Sequence, residues 1–253
     1  MSEKLKNVAA VIRTYNNPHV GKAVKNMLAF GLGKVIVVVN GTLDKGSTRG
    51  YLDTLAYDHR VAVIEMHEGY TWSNALNRAL SAIRLVNAEL EASSRPTFKY
   101  ILNVSVEAQF HRVYLETMVD GFGADLDGIA VVGTTFQGIQ DGNKIDLGRS
   151  YRHPRNTGMM LKLSALDAFC NSFDNWCDEI GGMEDIEFVL RLKAFTDKTV
   201  KMLDLRVPLI VGKHYHQPTK EEREREAMQK IVARMRSFRD RIEDVIREMR
   251  LEE

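Results

Sequence analysis

The residues best suited to chemistry stand in one stretch, Gly181-Gly182-Met183-Glu184-Asp185-Ile186-Glu187-Phe188-Val189-Leu190-Arg191-Leu192. Its two glycines loosen a loop that runs into a helix. Glu184, Asp185 and Glu187 crowd the first turn, where carboxylates suit the positive end of the helix dipole. Ile186, Val189 and Leu190 follow at helical spacing and bury one face. Glu184 and Asp185 are adjacent, so they point in different directions. One carboxylate can hold the loop or bind a hydroxyl while the other takes a proton. An acidic first turn is also common in helices with no catalytic role, so the company this stretch keeps decides its meaning. A second cluster, Arg149-Ser150-Tyr151-Arg152-His153-Pro154-Arg155, holds three arginines and a histidine within seven residues. It reads as a solvated basic loop or as a loop that closes over an anion, since Arg presents a fork suited to phosphate.

Such residues need a scaffold, and the periodicity of the first half supplies one. Val8 to Arg13 is a short apolar run with the length of a buried strand. Val20 to Phe30 has helical spacing and stops at Gly31-Leu32-Gly33. Lys34 to Val39 is a second strand, Thr48 to Tyr57 a short helix, and Val61 to Met66 a third strand. Thr71 to Leu90 is a long helix and Tyr100 to Val106 a fourth strand. This alternation predicts an α/β fold with a mostly parallel sheet covered on both faces. Ligands of such sheets bind beyond the carboxyl ends of the strands. Thr14-Tyr15-Asn16, Asn40-Gly41-Thr42 and Ser105-Val106-Glu107 stand at those ends.

The second half is less regular. A helix is expected over 111–121, a strand over 128–134 and a turn-rich connection over 136–143. A strand-like piece over 156–163 and a helix over 164–173 follow. After the helix that opens at Glu184 come strands over 199–205 and 208–211, then Lys213-His214-Tyr215-His216. Pro218 marks a boundary, so 1–217 forms one domain and 218–253 one highly charged helix.

Composition narrows the function classes. The chain has 253 residues, 44% hydrophobic and 27% charged, as in ordinary globular proteins. A net charge of +1 gives no reason to expect a nucleic-acid surface. No apolar run approaches the roughly 18 residues of a membrane span. The N-terminus runs straight into a strand-like segment, which argues against a signal peptide. Two cysteines, Cys170 and Cys177, are too few for a disulfide framework or a zinc cluster. A cytoplasmic protein with free thiols is the expectation.

Taken together, these motifs resemble family 2-type glycosyltransferases of the GT-A fold over roughly residues 7 to 216. That family opens with a Pro-Thr-Tyr-Asn-like turn, matched by Arg13-Thr14-Tyr15-Asn16. Its Val-Asp-Asp-Gly-Ser motif is matched by Val38-Val39-Asn40-Gly41-Thr42, and its Ala-x-Asn-x-Gly-like helix by Ser73 to Ala79. Ser105-Val106-Glu107 takes the place of its Asp-x-Asp, and Glu184 to Arg191 that of its Glu-Asp-x-Asp-Leu-x-x-Arg. His214 matches the histidine after its last strand. Two departures matter: Val39 and Asn40 replace two carboxylates at the nucleotide base, and Ser105 replaces the first aspartate of Asp-x-Asp.

The resemblance implies a nucleotide-diphospho-sugar transferase-like enzyme that passes a sugar to an acceptor hydroxyl, with inversion. Asp185 would be the base, and Glu184 would position it or the acceptor. Thr14, Tyr15, Asn16, Asn40, Gly41, Ser73 and Asn77 would hold the nucleotide. Glu107 and His214 would bind Mn²⁺ or Mg²⁺, with imidazole favouring Mn²⁺. Arg149, Arg152 and Arg155 would close on the donor diphosphate or on the acceptor, and Trp176 would offer the sugar a stacking face. A catalytically silent nucleotide- or sugar-binding member, favoured by Ser105 and Val39, and a nucleotidyltransferase are the competing readings.

The C-terminal segment carries its own signal. Met228, Ile231, Met235, Phe238, Ile242, Val245 and Met249 repeat at alternating spacings of three and four. That is a heptad seam, and its narrow stripe with charged flanks predicts a homo-oligomer formed through this helix. Docking of the same stripe on the catalytic domain is the alternative.

Overall fold

The computed structural model describes residues 3–14, 17, 19–40, 52–53, 55, 57–67, 72–106, 108–123, 129–140, 143–147, 158–169, 184–195, 199–204, 210–211, 225–226, 228–233, 236 and 247. A 3-10 turn, Glu3–Asn7, leads into β1 (Val8–Thr14). Then come α1 (Val20–Phe30), β2 (Lys34–Asn40), β3 (Val61–Met66), α2 (Trp72–Ala92) and β4 (Tyr100–Ser105). A short β5 (Ala108–Gln109) precedes α3 (Arg112–Gly121), β6 (Ile129–Gln140) and β7 (Asn143–Leu147). The remaining elements are β8 (Met159–Lys162), α4 (Leu163–Phe169), α5 (Glu184–Phe195), β9 (Thr199–Asp204) and β10 (Ile210–Val211).

The main sheet has eight strands in the order β3-β2-β1-β4-β8-β6-β7, with β9 also paired to β6. β3, β2, β1 and β4 are mutually parallel, β8 runs against β4 and β6, and β9 is parallel to β6. Strand alternation sorts the side chains of β1 and β2 between two cores. Ala9, Val11, Ile36 and Val38 join α2 through Leu76, Leu80 and Ile83, and α5 through Phe188 and Leu192. Val8, Ala10, Ile12, Val35 and Val37 join α1 through Val24 and Met27, and α3 through Tyr114, Leu115 and Met118. The expected two-sided α/β sheet is therefore present.

Local chemistry places the stops. Gly31 takes the left-handed conformation, φ 91°, that ends α1. Its amide donates to the Leu28 carbonyl at 3.0 Å and the Leu32 amide to that of Met27 at 3.3 Å, closing the last turn. Two residues on, Gly33 runs close to its neighbours: a Cβ there would overlap the Lys6 carbonyl oxygen and sit 2.7 Å from Phe98 Cε1. The Lys6 oxygen is backbone and cannot swing aside. Gly33→Ala is expected to cost about 3 kcal/mol of stability, read from the midpoint of denaturant unfolding. A loss under about 0.5 kcal/mol, the range of neutral surface changes, would show that the chain shifts freely there.

The turn before β3 carries a pH-dependent clamp. The Asp58 carboxylate accepts hydrogen bonds from Arg60 Nη2 at 2.7 Å, from Nε at 3.1 Å and from the Arg60 backbone amide at 2.9 Å. Hydrogen bonds from the Arg60 side chain, then from its amide, hold Asp58 at about 2, below its ordinary 3.8. The folded chain therefore keeps this carboxylate charged to lower pH than the unfolded chain does. Its contribution is complete above the ordinary value and disappears as pH falls toward 2. Wild-type Tm should thus drop more steeply between pH 4 and 2 than that of Asp58→Asn. Parallel slopes would remove Asp58 from the acid response.

Two features differ from the sequence expectations, and a third bears on the C-terminal seam. The connection expected over 136–143 is strand: β6 continues to Gln140 and pairs antiparallel with β7, Phe136 opposite Leu147 and Gln140 opposite Asn143. Only Asp141-Gly142 is left between the strands, and Asp-Gly is a strong two-residue hairpin signal that the turn-rich reading passed over. β5 and β10, two residues each, form a second small sheet; β10 falls within the strand expected over 208–211, whereas β5 was not expected. In the C-terminal segment, Met228, Ile231 and Val232 are buried in the same core as Phe188 and Leu192. The seam therefore begins docked on its own chain, where burial carries no cost of association. Residues 229, 230 and 233 are exposed. Met235, Phe238, Ile242, Val245 and Met249 lie outside the described residues.

Candidate functional site

Parallel pairing brings the polar strand ends to one edge. Arg13 in β1 stands level with Ser105 in β4, Thr14 level with Val39 in β2, and Asn40 level with Met66 in β3. Thr14, Asn40 and Ser105 are thus neighbours at the carboxyl edge, although some ninety residues separate the outer two in sequence. Thr14 is 2% exposed and Ser105 half-buried. At the same end, Ser73 in the first turn of α2 is fully buried. It heads the helix row that continues through Leu76, Leu80 and Ile83, all in the core. Asn77 stands one turn further on, half-buried, and its carbonyl accepts the Ser81 hydroxyl at 3.0 Å.

The acidic stretch opens α5 as its composition suggested: the helix begins at Glu184, and Glu184, Asp185 and Glu187 fall in its first turn. Glu184 precedes Glu187 by three residues, and Asp185 precedes Phe188 and Val189 by three and four. Both positions therefore head helix rows whose later members are buried.

The small second sheet joins two more distant segments. β5 and β10 are antiparallel, Ala108 opposite Val211 and Gln109 opposite Ile210. The start of β5 and the end of β10 consequently share one end of the pair. Glu107 is the residue before Ala108, and His214 comes three after Val211. Glu107 and His214 themselves lie outside the described residues, as do Tyr15, Asn16, Gly41, Arg149, Arg152, Arg155 and Trp176. Among the described residues no group of three His, Cys, Asp or Glu is placed to hold a metal ion.

Three buried polar side chains escaped the sequence reading as site residues. Arg13 is 8% exposed, Asn103 1% and Glu187 fully buried. By strand alternation Arg13 continues the row of Ala9 and Val11, and Asn103 that of Ile101, so both stand on the face covered by α2 and α5. The signals were a charged residue closing an otherwise apolar strand and an asparagine inside Ile101-Leu102-Asn103-Val104. Glu187 is bonded to Arg191 one turn along: Arg191 Nε lies 2.8 Å from Glu187 Oε1, and Nη2 donates to Oε2 at 3.2 Å. Its sequence signal was an ordinary Glu-to-Arg pair at i,i+4.

This sheet order is that of the GT-A fold that the resemblance implied. Solved glycosyltransferases share it. TarS of S. aureus superposes with a TM-score of 0.61 at 13% identity, over 89% of this chain and 39% of that one. The chain also spans 64% of TarS 1-349, which has been solved with UDP (TM-score 0.59, 12% identity). Glucosyl-3-phosphoglycerate synthase from Mycobacterium tuberculosis, solved with Mn²⁺, UDP and phosphoglyceric acid, gives 0.56 at 12% identity, over 89% of this chain and 76% of that one. Mannosyl-3-phosphoglycerate synthase from Rubrobacter xylanophilus gives 0.55 at 17% identity, over 91% and 74%. No family model and no curated protein sequence matches the chain. No helix among the described residues is long and apolar enough to cross a membrane.

Proposed function

We propose that the chain is a nucleotide-sugar-dependent glycosyltransferase acting on an acceptor hydroxyl with inversion. The observation that carries this reading is the meeting of Thr14, Asn40 and Ser105 at one sheet edge, in a fold shared with glycosyltransferases that bind UDP. Thr14, Tyr15, Asn16, Asn40, Gly41, Ser73 and Asn77 hold the nucleotide; the Asn40 amide both donates to and accepts from a base edge. Asp185 takes the proton of the acceptor hydroxyl as its oxygen bonds to the sugar carbon and the bond from that carbon to the diphosphate oxygen breaks. Glu184 orients the acceptor. Arg149, Arg152 and Arg155 close on the diphosphate or on an anionic acceptor, and Trp176 offers the sugar a stacking face. Phosphoglyceric acid in the mycobacterial neighbour makes an anionic acceptor a reasonable first choice.

A divalent cation suits the donor set. Ala108, the residue after Glu107, stands opposite Val211, three residues before His214, which supports a carboxylate and an imidazole as the ligands. That set, completed by phosphate oxygens and water, fits Mn²⁺ better than Mg²⁺. When bound, the ion would neutralise charge on the departing diphosphate.

Calorimetry with UDP, GDP and ADP tests the reading. Affinity for one of them should rise about tenfold or more with Mn²⁺ in the wild type, on the scale of a charged-group contact, and Glu107→Ala should abolish that gain. Equal affinity with and without a chelator would remove the metal and leave the arginines to neutralise the diphosphate. Failure to bind any of the three would overturn the proposal. Ser105 in place of a carboxylate favours a second reading, a member that binds but does not turn over. Nucleotide-sugar hydrolysis separates the two.

A further inference from the structure

At the nucleotide base Val39 and Asn40 take the place of two carboxylates. Val39 is fully buried, so its side chain is out of reach of a ligand. The next strand carries an acid at the same level. Glu65 in β3 pairs with Val39 in the parallel register, and Met66 with Asn40. Residues level with one another on neighbouring strands lie about 4.8 Å apart and share a face of the sheet. Glu65 continues the row of Val61 and Val63, on the side of α1. Unlike Val39 it reaches water, with its side chain 29% exposed. Glu65 Oε2 lies 3.7 Å from Nε2 of His67, two residues further along, whose side chain is 70% exposed. The carboxylate therefore leans along β3 toward the carboxyl edge, where ligands of such sheets bind.

A carboxylate in this place discriminates between bases by their donors. Guanine alone of the four common bases presents two neighbouring N–H donors on one edge, N1–H and the N2 amine. They match the two oxygens of a carboxylate in a charge-assisted, two-point contact. Uracil sets its single N3–H between two carbonyl oxygens, which face a carboxylate unfavourably. Cytosine and adenine each set a ring-nitrogen acceptor beside one amine. We propose that Glu65 supplies the acid missing from β2 and that the donor substrate is a guanosine diphosphate sugar. This inference rests on the glycosyltransferase reading and names its donor.

Calorimetry of the wild type and of Glu65→Gln with GDP, inosine diphosphate, UDP, CDP and ADP tests it. The wild type should bind GDP at least about tenfold more tightly than any of the others, the scale of one good two-point base contact. Inosine diphosphate lacks only the N2 amine, so its deficit against GDP reports that contact. Glutamine turns an amine toward the guanine donors. In Glu65→Gln, GDP affinity should therefore fall about 10- to 100-fold, while UDP affinity changes less than about threefold. A merely structural role would lower all five affinities alike, and that result would overturn the inference. So would a folded variant that keeps GDP affinity within about threefold of wild type, or a wild type that prefers UDP, CDP or ADP. Each of these leaves the proposed function standing. If the variant does not fold, the wild type's order of GDP against inosine diphosphate and UDP decides. A wild type that binds none of the five overturns both proposals.

Discussion

Asp185→Asn is expected to lower glycosyl transfer between about 10² and 10⁴-fold while donor affinity stays within about threefold of wild type. The amide has the shape of the carboxylate but cannot accept the acceptor's proton. The helix start is preserved, since asparagine is tolerated in a first turn and three further residues of α5 next to the site, Phe188, Val189 and Leu190, are fully buried. Turnover within a few-fold of wild type would move the base elsewhere, and Glu184 would be the next residue to substitute. A parallel loss of nucleotide affinity would show that Asp185 organises the site rather than takes the proton.

A large effect on stability is also expected from Arg191→Ala. It removes a guanidinium that is ion-paired with, and donates one hydrogen bond to, a carboxylate that has no solvent exposure. Removing one partner of a buried pair typically costs 3–5 kcal/mol, and the partial exposure of Arg191 places this case at about 3 kcal/mol. For a chain of this length that corresponds to a fall in Tm of about 6 to 12 °C. Adding Glu187→Leu should recover most of it, because the stranded charge is then gone. A loss below about 1 kcal/mol in the single variant would mean that other groups carry the neutralisation.

Much of this was legible in the sequence because it is local. The ends of α1 follow from helical spacing and from Gly31, the residue that most easily adopts a positive φ. The strands β1 to β4 follow from apolar runs of the right length between polar breaks, and their parallel arrangement from the helices between them. The acidic start of α5 was readable because carboxylates and a helix N-terminus attract each other within one turn. The hairpin of β6 and β7 was readable too, from Asp141-Gly142, and was missed.

What only the tertiary structure decided are the meetings of residues far apart in the chain. No periodicity says that Arg13 stands level with Ser105, or that Ala108 stands opposite Val211. Those follow from pairing register, which depends on how both sheet faces are filled at once. The seam beginning at Met228 is a similar case. Its spacing announced an apolar face whose narrow width favoured a second subunit, but spacing does not name what covers it. Met228, Ile231 and Val232 lie in the chain's own core, where their burial costs no translational freedom.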